Sequence, residues 1–288
     1  MKLSDWPISK ICLGDKNYPD ILAEIKNPPK VLFYRGKMDR NLFEKSLAIV
    51  GSRKITQYGK IVIEKLIPPL IAEKLTIISG FMYGTDTQAH LKCLEYKGKT
   101  VAVLGGGLNI IYPPENEKLY QEILEGKGLI ISEYEPDFQP QLWTFPQRNR
   151  IVAGLSSLGV LVIEAGEKSG SLITVRFAKD QGKKVYAIPG PITSSVSIGT
   201  NLLIRNHQAK VVLSADDLLG KKIESKSLFE SNLSPGEKRI INLLETEPST
   251  ADEIGAQIDK NAIETGKILS MLQLKGIISE SVGKYYLK

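Results

Sequence analysis

The 288-residue sequence holds only two cysteines, Cys12 and Cys93, far apart in the chain. Two such residues make no metal-ligand spacing and no disulfide framework, and this fits a reducing cytosol. No run of about 18 apolar residues occurs, so no membrane span is expected. The N-terminal Met1–Pro7 lacks the apolar core of a signal peptide. Neither Gly-x-Gly-x-x-Gly nor the Gly-Lys-Ser/Thr of a P-loop is present, so a dinucleotide or ATP site lacks its usual sequence support. The expectation is a cytoplasmic protein without metal or cofactor.

What the sequence has is a basic balance, net charge +6 with pI near 9.0, which favours a polyanionic partner. It also has a regular α/β rhythm. Leu47–Gly51 is a continuous apolar run, the mark of a strand buried on both faces. Similar runs follow at Thr76–Gly80, Thr100–Leu104, Leu129–Ser132, Gly159–Ile163 and Lys183–Gly190. Helical segments alternate with them: one to about Ile71, one from a Thr85 or Asp86 N-cap to Gly98, one near Glu115–Gly126, one within the stretch that follows Phe145, and one from Lys168–Ser171 to Gly182. Such alternation predicts a doubly wound, mostly parallel α/β sheet. Small residues recur where strands end: Gly51-Ser52, Ser79-Gly80, Gly105–Gly107 and Gly170-Ser171. Open α/β sheets bind ligands at those ends, and helix N-termini there offer N–H groups to anions. A glycine also closes any tight turn, so no single one of these identifies a site.

The stretch Phe145-Pro146-Gln147-Arg148-Asn149-Arg150-Ile151 sets an aromatic and two arginines ahead of an apolar run, with Trp143 just upstream. Guanidinium groups bind phosphates and rings stack on bases, so this is the composition of a nucleic-acid platform. A surface loop stapled by Phe145 has the same composition. Between Phe145 and Lys184 there are seven basic side chains and three acidic ones. His90 and Asp86, four apart on one helix, are the only appealing pair for acid–base chemistry; a helix N-cap and a packed histidine account for them better.

Residues 1–40 read as a proline-interrupted lead-in arm that lays one short strand, around Val31–Tyr34, on a main domain of residues 41–220. The Ser/Lys-rich 221–234 reads as a linker. Residues 235–288 predict three helices and a hairpin, a winged helix, with capping signals at Thr250/Glu253 and Asn261/Glu264. Winged helices usually suggest duplex DNA. This one carries seven basic and eight acidic side chains, so an accessory or protein-contact role is expected instead.

These motifs resemble the DprA/Smf family, the DNA-processing proteins of natural transformation. The resemblance is carried by Ile49–Arg53, Ser79-Gly80 with Gly84-x-Asp86-x-x-Ala89-His90, Gly105–Pro113, Phe145–Ser156, Glu164-Ala165 with Lys168–Thr174, Ile188–Gly190, and Gly199-x-Asn201-x-Leu203-Ile204. It implies an extended Rossmann fold that binds single-stranded DNA without catalysis, forms a homodimer, and loads the recombinase RecA, also on strands coated by single-strand-binding protein. By motif position the DNA-binding residues would be Gly51, Ser52, Arg53, Gly80, Phe145, Arg148, Asn149, Arg150, Lys168, Ser169, Gly170 and Ser171. Arg53, Arg148, Arg150 and Lys168 would neutralise phosphates, Phe145 would stack on a base, and the glycine-serine turns would present N–H groups. The sequence departs from the family at Phe81-Met82-Tyr83, where relatives usually have small residues and often an arginine, and at Pro114 and Gln147, which are basic in some members. The alternative is a nucleotide-processing enzyme on a similar fold, the lysine-decarboxylase-like phosphoribohydrolases, but their Pro-Gly-Gly-x-Gly-Thr run is absent. Leu202–Ile204 and Val211–Leu213 are candidate dimer surfaces or core.

Overall fold

A computed structural model of the chain describes residues 5–220, 233–281 and 283–287. The chain divides into two compact units, Met1–Lys222 and Ile223–Lys288. Most of the expected linker, residues 221–232, lies outside the described residues.

In the first unit the elements run β1 (Ser9–Cys12), α1 (Asp20–Ala23), β2 (Val31–Gly36), α2 (Asn41–Glu44), β3 (Ser46–Val50), α3 (Gln57–Ala72), β4 (Thr76–Ser79), α4 (Thr85–Glu95), β5 (Lys99–Val103), α5 (Glu117–Glu125), β6 (Leu129–Ser132), α6 (Thr144–Gly154), β7 (Gly159–Val162), α7 (Ser171–Asp180), β8 (Val185–Ala187), α8 (Ile198–Arg205), β9 (Lys210–Val211) and α9 (Asp216–Leu219). All nine strands join one sheet in the order β1-β2-β6-β5-β4-β3-β7-β8-β9. From β6 to β9 every pairing is parallel. Burial explains why: β3, β4, β6 and β7 are buried at every position, as strands covered by helices on both faces must be.

The lead-in supplies two strands, not one. β2 pairs antiparallel with β6, and β1 pairs antiparallel with β2. β1 was silent in sequence because of its four residues only Ile11 is buried, so it has almost no apolar pattern to read. Leu22 and Ile25 of the same arm pack against α6 and the sheet in the main apolar cluster.

The parallel order matters for function. The order in which the chain adds strands reverses between β3 and β7: β4, β5 and β6 build outward from β3 on one side, β7 and β8 on the other. A crevice opens at such a switch point, outside the carboxyl ends of the two strands.

The second unit holds α10 (Pro235–Thr246), β10 (Ser249–Thr250), α11 (Ala251–Ile258), α12 (Ala262–Leu274), β11 (Ile278–Ser281) and β12 (Lys284–Leu287). Ser234 with Glu237 and Thr250 with Glu253 form complete capping boxes. Ile240, Ile254, Leu269 and Leu272 make its core. β10 adds a third strand beside β12 that the hairpin reading did not include.

Candidate functional site

At the β3/β7 switch point lies a cleft of about 570 Å³, lined by the turns after β3, β4 and β7 and by the first turn of α6. Of the residues singled out by sequence, Gly51, Ser52, Arg53, Gly80, Phe145, Arg148, Asn149, Lys168, Ser169, Gly170 and Ser171 all line it.

Glycines bring these turns together. A Cβ on Gly51 would strike Thr85 Oγ1, and one on Gly80 would strike the Asp86 carboxylate and the Arg148 guanidinium. Gly84, at φ +75°, lies against the backbone of Ser52 and Arg53, where any side chain would clash. Thr85 then donates from N–H and hydroxyl to Ser52 O, at 3.1 and 3.2 Å. Gly84 is therefore the N-cap of α4, and neither Thr85 nor Asp86 is, contrary to the sequence expectation. The positive φ and the close backbone approach outweigh the usual side-chain cap preference.

Asp86 is turned into the cleft floor instead. It accepts from Met82 N–H at 3.3 Å. Burial raises its pKa, and the neighbouring Arg148 opposes that rise. Arg148 is itself buried, which lowers its pKa, while Asp86 holds it up. Its Nη1 donates to Val103 O and its Nε to Asn149 Oδ1. The guanidinium is thus a fixed cation under the cleft, held by a strand-end carbonyl and the Asn149 amide, with the Asp86 carboxylate nearby.

His90 does not join Asp86 in an acid–base pair. The ring is fully buried, with Nε2 at 2.6 Å from Gly80 O and Nδ1 at 2.7 Å from Thr100 Oγ1. A carbonyl only accepts, so Nε2 carries a proton. Burial pushes its pKa down to about 4. Glu164 is also spoken for: its carboxylate accepts from the N–H and the hydroxyl of Thr56, the N-cap of α3.

Arg150 is the residue the structure does not bring to the cleft. Two positions beyond Arg148 on one helix, it points to another face. It binds Glu133 through two bonds of 2.8 and 2.7 Å and donates to Asn27 O at 3.1 Å. Expected on phosphate, it instead fastens the lead-in arm to α6.

Phe145 and Arg53 meet above the floor. The Arg53 guanidinium carbon sits 5.7 Å from the Phe145 ring centre, within cation–π range. The ring rests on Gly105, where a Cβ would come within 2.8 Å of it, and touches Tyr112 at 5.6 Å between centres. Because α6 begins at Thr144, Phe145 lies inside its first turn and is no staple preceding the helix. Trp143 packs edge-on to Tyr134 and Phe138.

On the β7 side, Lys168, Ser169 and Gly170 lead into α7, whose N-terminus has no side-chain cap. Ser169 and Ser171 hydroxyls bond each other at 2.8 Å. A Cβ at Gly170 would meet nothing within 4 Å. The cleft therefore carries Arg53, Lys54, Arg148 and Lys168 against one acid, Asp86. Sequence reasoning missed Lys54 and Tyr83, both lining residues. Lys54 was detectable from its place in the Arg53 turn; Tyr83 was noticed only as a departure from the family.

Among the described residues no helix is long and apolar enough to cross a membrane, and no group of three or more His, Cys, Asp or Glu could hold a metal ion. Leu203 is core, whereas Val211 and Leu213 are exposed at the β9 edge.

The model of the family described as DNA recombination-mediator protein A matches residues 9–222. The chain is 45% identical over 207 residues to DNA processing protein DprA of Streptococcus pneumoniae, covering 72% of each chain. It is 39% identical over 242 residues to Protein Smf of Synechocystis, a match that spans 82% of this chain and 60% of that relative. Among solved structures, the pneumococcal DprA shares 42% identity with a TM-score of 0.69 over 74% of each chain. DNA processing protein A from Helicobacter pylori, described for its single-stranded DNA binding mode, shares 33% identity with a TM-score of 0.66 over 75% of this chain and 96% of that one.

Proposed function

The chain belongs to the DNA recombination-mediator protein A family, the DprA/Smf proteins, and on that premise we propose that it binds single-stranded DNA in the β3/β7 cleft without chemical change. The observation that carries this reading is the Arg53–Phe145 pair at the mouth of a cleft whose floor is the buried Arg148. A single strand needs cations for its backbone and rings for its bases, and this cleft offers both. Arg53, Lys54 and Lys168 neutralise phosphates, and Phe145 stacks on a base. The backbone at Gly51-Ser52 and the Gly170 N–H ahead of α7 give donors to a phosphate oxygen. Arg148 acts from beneath as a fixed positive field, and Asn149 ties it to the β7 turn.

Against the enzyme alternative stands the state of the acid–base candidates. His90 is closed off by two hydrogen bonds, and the buried Asp86 carboxylate accepts from Met82 N–H close to the Arg148 guanidinium.

We read the bound strand as one to be handed to RecA, including from strands coated by single-strand-binding protein, by a homodimer of this chain. The exposed β9 edge, with Val211 and Leu213, is the surface we assign to self-association. The second unit we read as a winged helix in an accessory or protein-contact role, in keeping with its charge balance. The reading is tested by fluorescence anisotropy with a labelled oligo-dT. Phe145→Ala should weaken binding by about 1–3 kcal/mol with the salt slope unchanged, and Arg53→Ala should reduce the slope by about one. If both variants bind like the parent, the cleft is not the DNA site.

A further inference from the structure

The two sides of the cleft differ chemically. On the β7 side stand Lys168 and the Gly170-Ser171 turn. On the other side of β3, in the turn after β4 and the long loop after β5, stand Tyr83 and Tyr112, 38% and 42% exposed. Tyr83 lines the cleft, and Tyr112 continues the surface outward from Phe145.

These rings are held in place. The Tyr83 hydroxyl donates to a Glu115 carboxylate oxygen at 2.7 Å. One residue on, the Asn116 amide donates to Phe81 O at 3.2 Å and to Thr87 Oγ1 at 3.0 Å. The turn after β4 and the loop after β5 are thus fastened to each other, so little ordering entropy remains to be lost when a base settles on them. Glu115 is exposed, and the Tyr83 hydroxyl lowers its pKa, so it is an anion at neutral pH.

An anion on this side repels phosphate. Its oxygens accept from N–H groups, which only base edges supply. Resting on the single-strand reading above, we propose that Tyr83 and Tyr112 form a second base-stacking station beyond Phe145. Glu115 turns the bases of the strand, not its phosphates, toward that side and favours bases with an exocyclic amino group over thymine. Cytosine offers N4–H₂ to a carboxylate, whereas thymine presents carbonyl oxygens on either side of its single ring N–H.

The test uses the full chain with fluorescent dC and dT oligonucleotides of equal length, each also made with its central nucleotides abasic. The parent should bind the dC strand about threefold or more tighter than dT. Tyr83→Leu/Tyr112→Leu, folded by circular dichroism, should weaken dC binding about tenfold. Its salt slope should stay at the parent's, and its loss should vanish on the abasic strand. Glu115→Gln should bring dC and dT within about twofold of each other, as expected when the single anionic acceptor is gone. The inference is overturned if the double variant binds dC within twofold of the parent while Arg53→Ala weakens it, a result that leaves the single-strand reading intact. A parent that binds neither strand sinks both.

Discussion

Replacing Gly170 by alanine should move stability and DNA binding in opposite directions. Gly170 precedes α7 at φ −61° and ψ −22°, an ordinary right-handed conformation. A Cβ there meets no atom within 4 Å. Nothing in the fold requires glycine, so Gly→Ala should gain about 0.4–1 kcal/mol by narrowing the unfolded ensemble. Alanine is a poorer N-cap than glycine, but that preference belongs to extended cap residues, and Gly170 is not extended. For a unit of this size the gain corresponds to roughly 1–4 °C in Tm. If a phosphate oxygen approaches the Gly170–Ser171 backbone, the added methyl stands in its path. A hydrogen bond to a charged group is worth about 1.5–3 kcal/mol, so affinity for oligo-dT should fall about tenfold or more. Thermal denaturation and anisotropy in one buffer read both. A Tm lower by several degrees would mean the fold does need glycine. An unchanged affinity would mean the β7 turn holds no phosphate.

Other outcomes follow from the same geometry. Arg150→Met strands the Glu133 carboxylate, whose side chain is only 11% exposed, so urea denaturation should show a loss of about 3 kcal/mol while oligo-dT affinity stays within twofold. A large loss of affinity at unchanged stability would return Arg150 to the DNA. For His90, the folded pKa of about 4 lies below the ordinary 6.5. Its contribution is complete above pH 6.5 and is lost as pH falls from there toward 4, roughly 3 kcal/mol in all. Asp86, with its raised pKa, acts in the opposite sense, so the clean readout is the His90 ring resonance by NMR, which should titrate near 4 and not near 6.5. Removing residues 235–288 should leave oligo-dT affinity within a few fold; a collapse would give the second unit a direct part in binding.

The central strands were plain in the sequence because β3, β4, β6 and β7 are buried at every position and β5 at all but Lys99, which concentrates apolar residues in each. The peripheral strands were not. β1 buries one residue of its four, and β9 is two exposed residues, Lys210 and Val211. Their place is set by backbone pairing, which leaves no mark on composition. At the cleft, the small-residue turns after strands could be read from the strand–helix rhythm, and their assignment to DNA came from the family resemblance. Arg148 and Arg150 looked equivalent as a charge pair, and only their helical setting separates them: about 200° of rotation sends one under the cleft and the other to Glu133. Tyr83 and Tyr112 were hidden because β4 and β5 bring together turns some thirty positions apart.

The central claim is that this cleft holds a single strand. Anisotropy titrations of a labelled oligo-dT and of a duplex of equal length, across a salt series, test it most directly. The account predicts tighter binding of the single strand at every salt concentration, with affinity falling as salt rises because phosphates are neutralised. Duplex bound as tightly as the single strand, or single-strand binding indifferent to salt, would contradict it.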